Sequence, residues 1–162
     1  MKTFTDSAGR TWTLTITVDA IKRVQSLLGV NLANVTEGDP PLLTRLETDI
    51  VLLCDVIYAV VKPQADQQNV TDEQFGQALG GDAILAAHDA FWSALADFFR
   101  SLRRSDQVRA IEKQTALVHA AVDAADKRIE ALDVDKIVDR AIRTDGDSAS
   151  SSPASSASTP TR

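Results

Sequence analysis

Four large apolar residues alternate with four threonines near the start of the chain, which is the period of a strand with one buried face. They are Trp12, Leu14, Ile16 and Val18. A second extended run, residues 2–7, precedes them. The two runs together predict an antiparallel β-hairpin.

The length of the turn decides which residues of the hairpin face each other. A three-residue loop over residues 7–9, with Gly9 left-handed, places Phe4 opposite Trp12 on the apolar face. A two-residue loop sets Phe4 opposite Thr13, on the polar face. The three-residue loop is therefore predicted.

Three helices are predicted between the hairpin and residue 63. Asp19 is the expected N-cap of the first, and Gly29 is its stop signal. The third starts at Thr48 or Asp49 and ends before Pro63. The apolar positions are Ile21, Val24, Leu27 and Leu28 in the first helix, Leu42, Leu43 and Leu46 in the second, and residues 50–61 in the third.

Residues 71–102 predict a short helix followed by a long one. Residues 71–74 form a capping-box pattern, Gly80 and Gly81 end the short helix, and Asp82 is the expected cap of the next. Apolar residues then recur at helical spacing in two adjacent rows, wide enough to pack onto a core. The rows are Ile84, His88, Phe91, Leu95, Phe98 and Leu102, and beside them Leu85, Trp92 and Phe99.

A heptad pattern follows, out of phase with those rows, so the helix either breaks between Ser101 and Ser105 or presents different faces in its two halves. Its small and β-branched residues resemble a coiled-coil seam. We expect its larger members to contact a second copy or another protein: Val108, Ile111, Val118, Val122 and Ile129. The alternative is that this helix folds back onto the aromatic rows.

The predicted fold class is therefore α+β and predominantly α. An N-terminal hairpin packs on a helical bundle over residues 1–102, and a helical arm with the heptad seam covers residues 103–143. Residues 144–162 are rich in Ser, Ala and Pro, with no apolar residue larger than Ala. Such a tail cannot bury enough surface to offset its ordering entropy, so it is expected to be disordered.

Charge and composition restrict the classes of partner that this chain is expected to bind. The net charge of −6 disfavours nucleic acid, which requires a basic surface. Arg100, Arg103 and Arg104 form one local basic cluster, either a solvated helix end or a docking patch for an acidic partner. The longest apolar run is too short for a membrane span. The single cysteine, Cys54, lies inside that run and indicates a core residue in a reducing cytoplasm.

Nothing in the sequence predicts catalytic, cofactor-binding or metal-binding residues. His88 falls in an apolar row, where a half-buried, hydrogen-bonded packing residue is expected, and His119 is expected to face water. No Cys or His spacing supplies a set of metal ligands. An active site would need a pocket that unites His88 and Asp89 with an arginine, so the chain is expected not to be an enzyme.

Several short segments carry a family resemblance over residues 1–100. They are FTDSAGRTW (4–12), IKRV (21–24), LGVNL (28–32), LLCDV (52–56), KPQA (62–65) and DEQFG (72–76). Their order and spacing resemble small tail assembly proteins of tailed phages and prophages, of the tail assembly chaperone type. The resemblance implies a non-enzymatic helper in the bacterial cytoplasm that binds the tape-measure protein and recruits tail-tube subunits, without remaining in the finished particle.

Two other functions remain open at this point. One is a structural tail-completion or connector subunit of a phage particle, and the other is a small regulatory, antitoxin-like binding module. Each is an interaction protein, and each is compatible with a homo-oligomer. Nucleic acid, membranes and cofactors are not expected as partners.

Overall fold

The computed structural model describes residues 1–131, which form two strands and six helices. The expected α+β, mainly α fold class is confirmed. The elements are β1 (Lys2–Thr5), β2 (Thr11–Leu14), α1 (Val18–Leu28), α2 (Leu42–Thr48), α3 (Ile50–Gln67), α4 (Asp72–Ala78), α5 (Asp82–Ser101) and α6 (Ser105–Glu130). The expected tail and the end of the predicted arm lie outside the described residues.

The β-hairpin has the predicted register, with Phe4 opposite Trp12 and Gly9 at φ +79°. The buried carboxylate of Asp6 organises the turn. It accepts hydrogen bonds from the Arg10 amide at 2.9 Å, the Arg10 guanidinium at 2.7 Å and the Trp12 indole at 2.9 Å. Burial opposes the charge, but the hydrogen bonds from Trp12 and Arg10 outweigh it and hold the pKa of Asp6 below its usual range.

The second strand is shorter than predicted, because the chain turns into helix α1 at Val18. Thr17 is still extended, which continues the alternating pattern, but its side chain caps the helix by accepting from the Ala20 amide at 3.1 Å. The prediction of Asp19 as N-cap was wrong; Asp19 instead pairs with Arg23 at 2.9 Å.

Helix α1 ends at Gly29 as predicted, with φ +69°. Its buried side reaches only as far as Val24, since Leu27 is exposed and Leu28 is partly buried. Leu27 was therefore wrongly placed on the apolar face.

Helix α3 starts after Asp49, whose carboxylate accepts the Val51 and Leu52 amides at 3.1 and 3.0 Å. The prediction that Pro63 ends this helix was wrong, because the helix continues to Gln67. The Gln64 side chain binds both backbone groups of Thr13, accepting its amide at 2.9 Å and donating to its carbonyl at 2.7 Å. These hydrogen bonds connect the helical turn after Pro63 to strand β2 of the hairpin.

Helix α4 has the predicted capping box, and its Phe75 packs edge-on against Trp12 with ring centroids 5.2 Å apart. Helix α5 begins after Gly81, and no side chain caps it, so the predicted cap at Asp82 was wrong. The residues of its two apolar rows are buried or partly buried, except for Leu85 and Leu102, which are exposed.

A break separates α5 from α6, which decides between the two sequence alternatives. Arg103 adopts a left-handed conformation at φ +57°, and the Arg104 amide donates to the Phe99 carbonyl at 3.0 Å. Arg103 and Arg104 thus terminate α5 in a Schellman-type arrangement. Among residues 1–131, no helix is long and apolar enough to cross a membrane.

Candidate interaction surface

The predicted seam on helix α6 divides into a buried and an exposed part. Val108 and Ile111 belong to the hydrophobic core, with Ile111 only 2% exposed. The prediction that these two residues contact a partner was therefore wrong, and the fold-back alternative holds for them. The first compact unit of the chain accordingly runs over Met1–His119, beyond the predicted boundary at residue 102, and a second unit starts at Ala120.

Gln107 anchors the start of α6 and is buried. Its side-chain oxygen accepts the Val35 amide at 3.2 Å, and its amide nitrogen donates to Thr36 Oγ1 at 3.1 Å and Asn34 Oδ1 at 3.3 Å. These partners precede it by more than seventy residues, so nothing in the local sequence singles out Gln107. Gln107 directly precedes Val108, so these hydrogen bonds lie beside the core contacts of the same helix.

The remaining seam residues are accessible. Val118 is partly buried, whereas every residue from 120 to 130 is exposed. Val122 and Ile129 are 53% and 65% exposed, and Ala125 lies between them on the same face. We call Val122, Ala125 and Ile129 the distal seam. It is the part of the predicted contact surface that stays open to a partner.

The arginine cluster is largely occupied by carboxylates of the same chain. Arg100 pairs with Asp97 and Glu112, each at 2.7 Å. Arg104 pairs with Asp106 at 2.9 Å and holds the pKa of that carboxyl below its usual range. This neutralisation weakens the prediction of a docking patch for an acidic partner at Arg100, Arg103 and Arg104.

A cavity of about 410 Å³ separates α5 from the first half of α6. Its titratable lining residues are Asp89, Arg100, Glu112 and His119, and its apolar lining includes Trp92 and Ile111. An aspartate and an arginine thus meet in one cavity. Arg100 is already held by two carboxylates, and His88 is not among the lining residues.

His88 sits behind that cavity in a hydrogen-bonded cluster, as its half-buried position in the apolar row predicts. Its Nε2 lies 3.0 Å from the buried Glu47 carboxylate, and its Nδ1 lies 3.1 Å from Asp89. The hydrogen bond to Glu47 outweighs burial and raises the pKa of His88. The sequence gives no sign of the contact with Glu47, since α2 and α5 are far apart in the chain.

The indole of Trp92 also lies 3.0 Å from His88 Nε2. A single ring nitrogen cannot both donate to Glu47 and accept from Trp92. Protonated His88 therefore donates to Glu47, whereas neutral His88 accepts from Trp92 when its proton is on Nδ1. Protonation and tautomer together decide which helix the imidazole binds. The cation and the Nε2–H tautomer bind α2 through Glu47, whereas the Nδ1–H tautomer binds Trp92 of its own α5.

Comparison with family models, curated proteins and solved structures finds no significant match to this chain. Within residues 1–131, no group of three or more His, Cys, Asp or Glu side chains is arranged to hold a metal ion.

Proposed function

We propose that this protein is a non-enzymatic tail assembly chaperone that binds the tape-measure protein, the tail-tube subunits or both during phage tail assembly in the bacterial cytoplasm. The chaperone type comes from the family resemblance of residues 1–100. The exposed distal seam, Val122, Ala125 and Ile129, supports it as the contact surface.

The energetics of a bare helix favour a partner for this segment. Residues 120–130 form the exposed end of the 26-residue helix α6, and helices in proteins gain most of their stability from packing an apolar face. Burying Val122 and Ile129 contributes about 1.5–3 kcal/mol for each side chain. Charged neighbours such as Asp123 and Lys127 keep the rest of the helix hydrated. A long helical protein with a complementary apolar stripe matches this surface.

Co-expression with the tape-measure protein tests the proposal. We expect the wild-type chain to move that protein into the soluble fraction and to co-purify with it. Ala125→Asp places a charge in the distal seam and is expected to abolish both effects. Ala124→Asp makes the same substitution on the opposite face of the helix, so it serves as the matched control and is expected to behave as wild type.

Two results would contradict the proposal. Loss of binding in both variants, or in neither, would exclude the distal seam as the interface. Mass spectrometry of purified phage particles provides the second test, because a chaperone is missing from them. A fixed copy number in the particles would identify a structural component instead.

A further inference from the structure

An apolar groove of about 410 Å³ lies among α3, α4 and α5, and no residue of α6 is among those that line it. Ile50 and Val51 form one wall and are 56% and 66% exposed, although both begin a helix whose other apolar residues are mostly buried. Leu79 and Ile84 line the groove from the far side. Exposed β-branched residues beside such a groove are typical of a surface that another molecule covers.

Gly76, which lies inside helix α4 and is exposed, also lines the groove. A Cβ atom built on Gly76 would meet nothing within 4 Å, so packing within the chain does not require glycine there. Glycine inside a helix is destabilising relative to alanine. Because Gly76 is exposed and has no side chain, it leaves room for another backbone to approach α4 closely.

The rim of the groove is acidic. Asp55 and Asp72 line it, and Asp49 lies close enough to influence Asp55. Burial raises the pKa of Asp55, and the neighbouring charges of Asp72 and Asp49 raise it further. In the part of the chain that the structure describes, no lysine or arginine forms an ion pair with these three carboxylates. A cationic partner would relieve their mutual repulsion.

We infer that this groove binds an amphipathic helix of another protein, with its apolar side chains against Val51 and Leu79, its backbone close to Gly76 and its lysines or arginines beside Asp55 and Asp72. The apolar walls of the groove require an apolar face on the partner helix, and the carboxylates favour positive charges on either side of that face. The groove shares no residue with the distal seam.

Fluorescence anisotropy with a labelled amphipathic peptide of leucine and lysine tests this inference on the full-length protein. We expect Val51→Gln to weaken binding about tenfold, because it removes one buried apolar contact without changing the charge. Leu27→Gln is the matched control, since Leu27 is also an exposed apolar residue at 54%, and it is expected to leave the affinity unchanged. Asp55→Asn with Asp72→Asn is expected to weaken binding and reduce its dependence on salt.

Gly76→Ala provides a test in which a folding defect cannot imitate the result. The added methyl group is expected to raise the melting temperature, because alanine favours the helix, and at the same time to weaken peptide binding. A variant that is more stable and binds as well as wild type would overturn the close approach at Gly76.

Three other results would overturn the inference. The first is equal affinity of the Val51→Gln and Leu27→Gln variants, and the second is equal binding of a peptide with glutamate in place of lysine. The third is a dimer by light scattering that Val51→Gln dissociates, since the occupant would then be a second copy. Ala125→Asp is expected to retain peptide binding, which separates this site from the tape-measure proposal.

Discussion

The two halves of helix α6 carry similar apolar spacing but differ in what covers it. In the proximal half, Ile111 is buried in the core and Gln107 ties the helix to the segment around Val35. In the distal half, residues 120–130 are all exposed, including Ile129. Heptad spacing therefore identifies the apolar side of a helix, but it does not show which surface packs on that side.

The largest expected effect comes from making the same substitution in each half. Ile111→Ala removes a buried side chain and is expected to lower the free energy of unfolding by about 2–5 kcal/mol. Ile129→Ala truncates an exposed side chain and is expected to change it by less than about 0.5 kcal/mol. Urea denaturation of the two variants measures the difference. Equal losses would mean that Ile129 is covered within the chain, and the distal seam could not be an interface.

Removing the polar anchor is expected to have the next largest effect. Gln107→Ala leaves the buried Val35 amide without its acceptor, which costs about 1–3 kcal/mol. Hydrogen exchange of the Val35 amide, together with denaturation, measures this loss. Gln114→Ala on the same helix is the control, and it is expected to preserve protection at Val35. Unchanged protection in the Gln107 variant would show that core packing alone holds the start of α6.

A smaller effect on stability is expected from a change of pH, through the half-buried His88 of α5. Because the folded protein raises the pKa of His88, its charged form stabilises the fold. That contribution is complete below the ordinary histidine pKa of 6.5 and is lost as the pH rises through the raised value. Melting temperature should therefore fall over this range in wild type. The fall should disappear in His88→Gln and persist in His119→Gln, where the substituted histidine is exposed.

Local patterns predicted much of the fold. Loop parity and the facing of Phe4 and Trp12 determined the hairpin register, because a shift of one residue would expose one of them. The capping box at Thr71 and the stop at Gly29 were also predicted, since each depends on neighbouring residues alone. Each of these features is determined by residues that lie close together in the sequence.

The wrong caps at Asp19 and Asp82 were local errors by one or two residues. The contacts that were missed altogether join residues that are far apart in the sequence. Pro63 did not end α3, and the next residue, Gln64, binds Thr13 of the hairpin, a partner fifty-one residues away. The Glu47–His88 contact joins residues forty-one positions apart, and the Gln107–Val35 contact joins residues seventy-two apart. Side chains that satisfy distant backbone groups leave no periodic signal. The candidate interaction surface was predicted only in part for the same reason. The heptad spacing identified the seam residues, but not that Val108 and Ile111 are buried in the core.

The smallest expected effect concerns the joint at which α5 passes into α6. Arg103 holds a left-handed conformation that costs a residue with a Cβ about 1 kcal/mol. Arg103→Gly is expected to stabilise the fold by about 0.5 kcal/mol, since the greater unfolded-state freedom of glycine offsets part of the gain. Gly29→Ala, at the end of α1, should have the opposite sign and cost about 1 kcal/mol. Thermal denaturation measures both variants. A loss of stability in Arg103→Gly would mean that the arginine side chain itself secures the joint, and the two halves of α6 would then differ through this contact as well as through Gln107.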